Sequence, residues 1–127
     1  MTYTFSFSKQ FAKEFANFEQ DQRDKVTAFL ITYQKYGLSD FSKFEGKITP
    51  SWKGEDISQD DYDFTTQNKL WHYHVGYPSY TQNHSKYKTS DWVLHFKRED
   101  PNIHLVDLYV HYRVDGSFYL PPETSIT

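Results

Sequence analysis

Hydrophobic and polar residues alternate in three short runs of the second half of the chain, which predicts three β-strands. The runs are residues 70–75, 92–98 and 103–113. Successive strand residues point to opposite faces of a sheet, so each run separates into an apolar set and a set that contains histidine. In the third run the apolar set is expected to be Val106, Leu108, Val110 and Tyr112. If the strands are neighbours, one sheet face is core and the other carries a group of ionisable side chains: His72, His74, His95, Lys97, Asp107, Tyr109, His111 and Arg113.

The first part of the chain predicts one strand followed by two helices. Residues 2–7 alternate in polarity and indicate a short, half-buried strand. Ser8 is suited to cap the helix that follows. This helix is marked by aromatic residues at the spacing of one helix face: Phe11, Phe15 and Phe18. The second helix is expected to begin near Asp21 and to end at Gly37, which is typical of the position after a helix.

The remaining segments complete the predicted order of elements. Residues 38–69 lack periodicity and predict a loop, with one short extended piece near residues 47–52. Asp100-Pro101 marks a tight turn, so the second and third histidine runs should be antiparallel neighbours. Asp115-Gly116 marks a further turn, and we expect an extended or mobile tail from about residue 118. The order β-α-α-loop-β-β-β predicts one α+β domain, with a helical hairpin packed on one face of a small antiparallel sheet.

Size, composition and charge restrict the class of protein. The 127 residues fit a single domain, and the 20% of aromatic residues must supply much of its core. The chain has no cysteine, so disulfides and thiolate metal ligands are excluded. We expect no signal peptide and no membrane span, and therefore a cytoplasmic protein. The net charge of −3 disfavours non-specific nucleic-acid binding, so a function on RNA would require a local basic patch.

The element order and the last three strands resemble the RelE/ParE superfamily of toxins from bacterial type II toxin–antitoxin systems. The similar strand segments are LWHYHVG, DWVLHFKRED and IHLVDLYVHYRVDG, and the resemblance covers about residues 3–118. It implies a toxin endoribonuclease that cleaves mRNA, often in the ribosomal A site, and that is neutralised by a cognate antitoxin protein. The chain departs from such toxins in its slightly acidic charge and in a long insertion at residues 76–90.

The histidines and one arginine can be assigned to the steps of RNA cleavage. Metal-independent cleavage through a 2′,3′-cyclic phosphate needs a base, an acid and a cation at the phosphate, and requires no cofactor. By the resemblance, His111 is the first candidate for acid or base, and Arg113 on the same face would hold the phosphate. His95 is the expected partner in proton transfer, and His72 or His74 could act as a second base or bind phosphate. Which histidine is acid and which is base stays open.

Five further side chains are candidates for substrate binding. Lysines can contact the RNA backbone, and tyrosines can stack on bases. The candidates are Lys47, Lys53, Lys97, Tyr109 and Tyr112.

Three other interpretations remain, of which one is a structural protein or a toxin-like protein without an antitoxin. His72 and His74 alternate on one strand, and with His95, His111 or Asp107 they could coordinate zinc or another transition metal. No recognised metal-binding motif accompanies them. Alternatively, the chain is a non-catalytic ParE-like toxin that binds a protein target such as gyrase, in which case loss of His111 would leave toxicity intact.

Overall fold

The computed structural model describes residues 2–54, 57–81 and 88–127. Its strands and helices are β1 (Thr4–Phe7), α1 (Lys9–Asn17), α2 (Gln20–Tyr36), β2 (Ile48–Pro50), α3 (Gln59–Gln67), β3 (Leu70–His74), β4 (Trp92–Glu99) and β5 (Asn102–Val110). Two short 3-10 turns, Phe41–Lys43 and Glu123–Ser125, complete them. Among these described residues, no helix is long and apolar enough to cross a membrane.

The strands form one mixed sheet of five, in the order β1-β5-β4-β3-β2. The pairs β2–β3, β3–β4 and β4–β5 are antiparallel, and the turn at Asp100-Pro101 joins β4 to β5 as expected. β1 runs parallel to β5 at the other edge. The α+β class is therefore confirmed, but the expectation of a purely antiparallel sheet is wrong for β1.

Helices α1 and α2 cover one face of the sheet, as the phenylalanine stripe predicts. The Ser8 hydroxyl caps α1 by accepting a hydrogen bond from the Phe11 amide at 3.0 Å. Gly37 ends α2 with a φ of 68°, a conformation that favours glycine. The ring of Phe29 in α2 lies 4.7 Å from that of Tyr73 in β3. This aromatic contact joins the helical layer to the sheet.

The segment of residues 38–69 is not a simple loop, because it contains helix α3. The extended piece expected there is confirmed as β2. The Ser58 hydroxyl caps α3 by accepting a hydrogen bond from the Asp61 amide at 3.1 Å. α3 lies on the sheet face opposite α1 and α2, where Phe64 packs against a small apolar cluster of Leu70, Val106 and Ile126.

A shift in register between β4 and β5 redirects one side chain. His95 lies opposite Asp107, whereas the adjacent Phe96 lies opposite Leu105, so Val106 is an additional residue in β5. Val106 consequently packs in the cluster beside α3 instead of in the core beneath α1 and α2. Its expected place on the apolar face next to Leu108 is wrong, because the bulge interrupts the alternation on which the expectation rests.

The chain reverses after β5 and returns across the sheet. The predicted turn is present: the Gly116 amide donates to the Arg113 carbonyl at 2.9 Å, and Tyr112 pairs with Phe118. Further along the tail, Leu120 and Ile126 are buried. The tail therefore contributes a second cover to the face on which α3 lies.

Candidate functional site

Four histidines meet on the sheet face that carries α3 and the tail. We call His72 and His74 of β3, His95 of β4 and His111 after β5 the histidine cluster. The ring centre of His72 lies 5.2 Å from that of His111 and 5.9 Å from that of His95. His74 and His111 are 5.0 Å apart by the same measure. The grouping of these side chains on one face, expected from strand alternation, is present.

The cluster is buried, although strand alternation places these side chains on the sheet face opposite the predicted core. His72 and His74 are each 4% exposed and His95 is 0% exposed, while His111 is half-buried. Part of the cover is Phe118 from the tail, whose ring lies 5.3 Å from His72 and 4.8 Å from His111. The sequence does not reveal this cover because the tail follows the last strand and its path depends on tertiary packing.

Burial makes the histidines weak bases. It lowers the pKa of His74 to about 4 and that of His95 to about 3. It also lowers the pKa of His72 well below its ordinary value, with a further contribution from the neighbouring His95 and His111. The pKa of His111 is lowered by burial and then by the charge of Lys47. The cluster is consequently uncharged at neutral pH.

The ring nitrogens of the cluster differ in their partners. His72 Nδ1 lies 2.9 Å from the Ser51 hydroxyl. His74 Nδ1 lies 2.9 Å from the carbonyl oxygen and 3.0 Å from the amide nitrogen of Ser90. In contrast, both ring nitrogens of His95 and Nδ1 of His111 are buried and have no hydrogen-bond partner among the described residues. Buried polar atoms without partners are uncommon and point to a missing ligand or water.

His111 lies just beyond β5, since the strand ends at Val110. Its amide donates to the Asp91 carbonyl at 2.7 Å, and its carbonyl accepts from the Tyr119 amide at 3.0 Å. The ring of Tyr112 stacks on that of His111 at 4.3 Å and is 59% exposed. Strand alternation does not apply past Val110, so the expected placement of Tyr112 on the apolar face is wrong.

Two cavities meet the cluster. The first, of about 660 Å³, is lined by His72 and His111, by the cations Lys53 and Arg113, and by the start of α3. The second, of about 810 Å³, is lined by His74 and His111 together with the base of the insertion. His111 therefore borders both cavities.

The structure separates the candidate cations. Arg113 and Lys53 are exposed at the first cavity, although Arg113 lies in the turn after β5 and not in the strand. Lys47 is exposed on the chain next to β3, where its carbonyl accepts the His74 amide at 3.0 Å. Lys97 lies towards the far end of β4, opposite Leu70 in β3, 4.0 Å from the Glu99 carboxylate. It is not grouped with the cavity residues.

The sequence did not point to two tail residues near the cluster, Phe118 and Tyr119. Tyr119 donates its hydroxyl hydrogen to the Asp107 carboxylate and packs its ring 5.8 Å from that of His95. Burial raises the pKa of Asp107 to about 6, against the opposing effect of this hydrogen bond. Tyr109, proposed for base stacking, contacts the Tyr119 ring at 4.6 Å. In the sequence, only the predicted turn at Asp115-Gly116 indicated that the chain returns across the sheet towards the histidine cluster.

No family model, no curated protein and no solved structure matches this chain. The expected membership of the RelE/ParE superfamily therefore stays a prediction from the sequence. The insertion at residues 76–90 closes at its base through a pairing of Thr81 with Thr89. Residues 82–87 of that insertion lie outside the described residues.

Proposed function

We propose that this protein is a RelE/ParE-like endoribonuclease that cleaves mRNA, on the ribosome, in the cavity beside His111. The observation that carries the proposal is the convergence of two imidazoles and two cations on that cavity: His72, His111, Lys53 and Arg113. RNA cleavage requires both kinds of group, since a proton must be removed and an anionic transition state must be stabilised.

The uncharged state of His111 suits it to be the base. Its lowered pKa leaves an imidazole lone pair free at neutral pH to accept the proton of a ribose 2′-hydroxyl. The resulting 2′ oxygen attacks the adjacent phosphorus, and the 5′ oxygen leaves and takes a proton from solvent in the cavity. The products are a 2′,3′-cyclic phosphate and a 5′-hydroxyl. His72 lines the same cavity and is the alternative base.

Among the described residues that line the cavity, Lys53 and Arg113 outnumber the one acidic residue, Asp61, and so supply a local positive charge that the chain as a whole lacks. The net charge of −3 gives no general attraction for RNA. Arg113 can hold two phosphate oxygens through its planar guanidinium, and Lys53 adds a second positive charge at the same cavity. Tyr112, exposed and stacked on His111, offers a ring face on which a base next to the scissile phosphate can stack.

Exposed apolar side chains near this cavity offer a surface that a protein partner can bind. Tyr109, Tyr112 and Val114 are 45%, 59% and 110% exposed at the end of β5. A cognate antitoxin that covers these side chains would also close the route to His111.

The test is induced expression in bacteria of the wild-type chain, His111→Gln and the control His104→Gln. His104 is a half-buried histidine of β5 that lies 2.8 Å from the Ser6 hydroxyl, outside the cluster. We expect wild type and His104→Gln to arrest growth and to produce discrete cuts in abundant transcripts by primer extension, and His111→Gln to do neither. Growth arrest by His111→Gln without cuts would contradict the proposal and favour a protein target such as gyrase.

A further inference from the structure

We propose that His72, His74 and His111 form a binding site for one divalent transition-metal ion of the zinc and cobalt type. This inference does not depend on RNA cleavage. It starts from a separate geometric fact: each of the three side chains offers one nitrogen, and these three atoms lie within 4.8 Å of one another.

The spacing is close to that of a tetrahedral site. With metal–nitrogen distances of about 2.0–2.1 Å, the nitrogens of a tetrahedral zinc site lie about 3.4 Å apart. The three nitrogens here must therefore approach each other by at most about 1.4 Å, which rotations of the imidazole rings can provide. His72 and His74 are held in rigid strand β3, so most of the adjustment falls on His111, which lies beyond the end of β5.

The outer nitrogens of the two strand histidines have the partners that metal-bound histidines usually have. Such histidines commonly bind a carbonyl or a polar side chain through the ring nitrogen that does not face the ion. His74 Nδ1 lies 2.9 Å from the Ser90 carbonyl, and His72 Nδ1 lies 2.9 Å from the Ser51 hydroxyl. When Nδ1–H of each ring donates in these contacts, the Nε2 lone pair of both rings is left for the ion, and His74 Nδ1 then does not accept from the Ser90 amide 3.0 Å away.

His111 adds an atom that lacks a partner. Its Nδ1 is buried and makes no hydrogen bond among the described residues. The ring also stacks on Tyr112, which is 59% exposed and can move with it. A bound ion would give this part of the cluster the polar partner that the described chain does not supply.

The ligand chemistry selects the class of ion. Uncharged imidazoles bind zinc, cobalt, nickel and copper well, whereas magnesium and calcium prefer carboxylate and carbonyl oxygens. Three protein ligands leave a fourth position for water or another small ligand. His72 and His111 line the first cavity, which gives that position a route to solvent.

Occupancy of this site would also affect the proposed cleavage. The ion would bind lone pairs of His72 and His111, and neither imidazole could then accept the proton of a 2′-hydroxyl. We therefore expect the bound ion to inhibit cleavage. Metal binding would then regulate the activity of the same histidine cluster.

The test is a titration of the chelator-treated, dialysed protein with Co²⁺ in the absence of RNA. We expect the visible absorption bands of four-coordinate cobalt, saturating at one ion per chain, and their loss when Zn²⁺ is added. His74→Gln and His111→Gln should each weaken binding by at least about tenfold, and Ser51→Ala should weaken it by about tenfold. The control His104→Gln should bind as the wild type does.

A second readout protects the test against variants that fail to fold. Zn²⁺ should raise the unfolding temperature of the wild type and of His104→Gln, but not that of His111→Gln, because a ligand that binds only the native state stabilises it. The proposal is wrong if wild type gives no four-coordinate cobalt spectrum, or if His111→Gln binds Co²⁺ as tightly as wild type. Because no RNA is present in this titration, neither result bears on the cleavage proposal, which is tested separately.

Discussion

The hydroxyl of Tyr119 donates a hydrogen bond to the carboxylate of Asp107, which ties the returning tail to strand β5. Asp107 is 5% exposed and lies opposite His95 in the adjacent strand. A buried carboxylate without a donor is costly, so this contact both closes the face of the histidine cluster and satisfies a polar group beneath it.

Tyr119→Phe should destabilise the protein by about 1–3 kcal/mol, because it leaves the buried Asp107 carboxyl without its side-chain donor. Urea unfolding measures the change in the free energy of unfolding. Tyr112→Phe is the matched control, since Tyr112 is 59% exposed, and its effect should stay within about 0.5 kcal/mol. Equal stability of Tyr119→Phe and wild type would show that the contact does not hold the tail.

The metal-free protein should lose stability as the pH falls below 6.5. His74 and His95 have native pKa values of about 4 and about 3, against 6.5 in the unfolded chain. Below pH 6.5 the unfolded state binds these protons first, so stability declines as the pH falls towards those native values. Each histidine contributes a slope of up to about 1.4 kcal/mol per pH unit.

Protonation of Asp107 has the opposite effect on stability over part of this pH range. Its pKa is raised from 3.8 to about 6, so its protonation favours the native state between these values. The histidines outnumber it, and the net slope should remain destabilising on acidification. Unfolding midpoints in urea from pH 7.5 to 4.5 measure the slope, and His95→Gln should reduce it. A urea midpoint that stays constant across this pH range would contradict the burial of uncharged histidines.

Gly46→Ala should disturb β3 at the histidine cluster. A Cβ at Gly46 would overlap the carbonyl oxygen of His74, so the two backbones could not keep their close approach. We expect a loss of about 1–3 kcal/mol of stability, as for other overpacked sites. Gly54→Ala is the control, because its Cβ would lie 3.8 Å from that of Ile57, in ordinary contact. Thermal unfolding compares the two, and equal melting temperatures would show that β3 can move aside.

Arg113→Gln and Lys53→Gln should each weaken RNA binding and reduce its dependence on salt, because both remove a cation from the first cavity. Lys97→Gln removes the same charge at the far end of β4, where Lys97 lies beside Glu99, and should change binding little. The measurement is the dissociation constant for a short RNA at several salt concentrations. Equal losses in all three variants would indicate only a general charge effect.

The sequence predicted most of the elements because their signals are local. The Phe11 stripe, the Ser8 cap and the alternation around His72 and His95 depend on neighbours along the chain, and each is present in the structure. Alternation also predicted that the histidines share a face. It could not predict their burial.

The features that the sequence did not predict depend on distant contacts. The bulge at Val106 results from pairing between β4 and β5, and it changes which face each residue takes. Helix α3 has a weak apolar pattern, and its main local sign was the cap at Ser58. Phe118 and Tyr119 reach the cluster only because the turn at Gly116 sends the chain back over the sheet.

The most direct test of the proposed function is cleavage of a labelled mRNA on purified ribosomes, in a magnesium buffer without added transition metal, by the chelator-treated and dialysed protein. The substrate is paired with one that carries a 2′-deoxy residue at the cleaved position. We expect wild type to cut only the ribose substrate and to leave a 2′,3′-cyclic phosphate, and His111→Gln to cut neither. Cleavage of the deoxy substrate, or equal cleavage by His111→Gln, would contradict the assignment of His111 as the base.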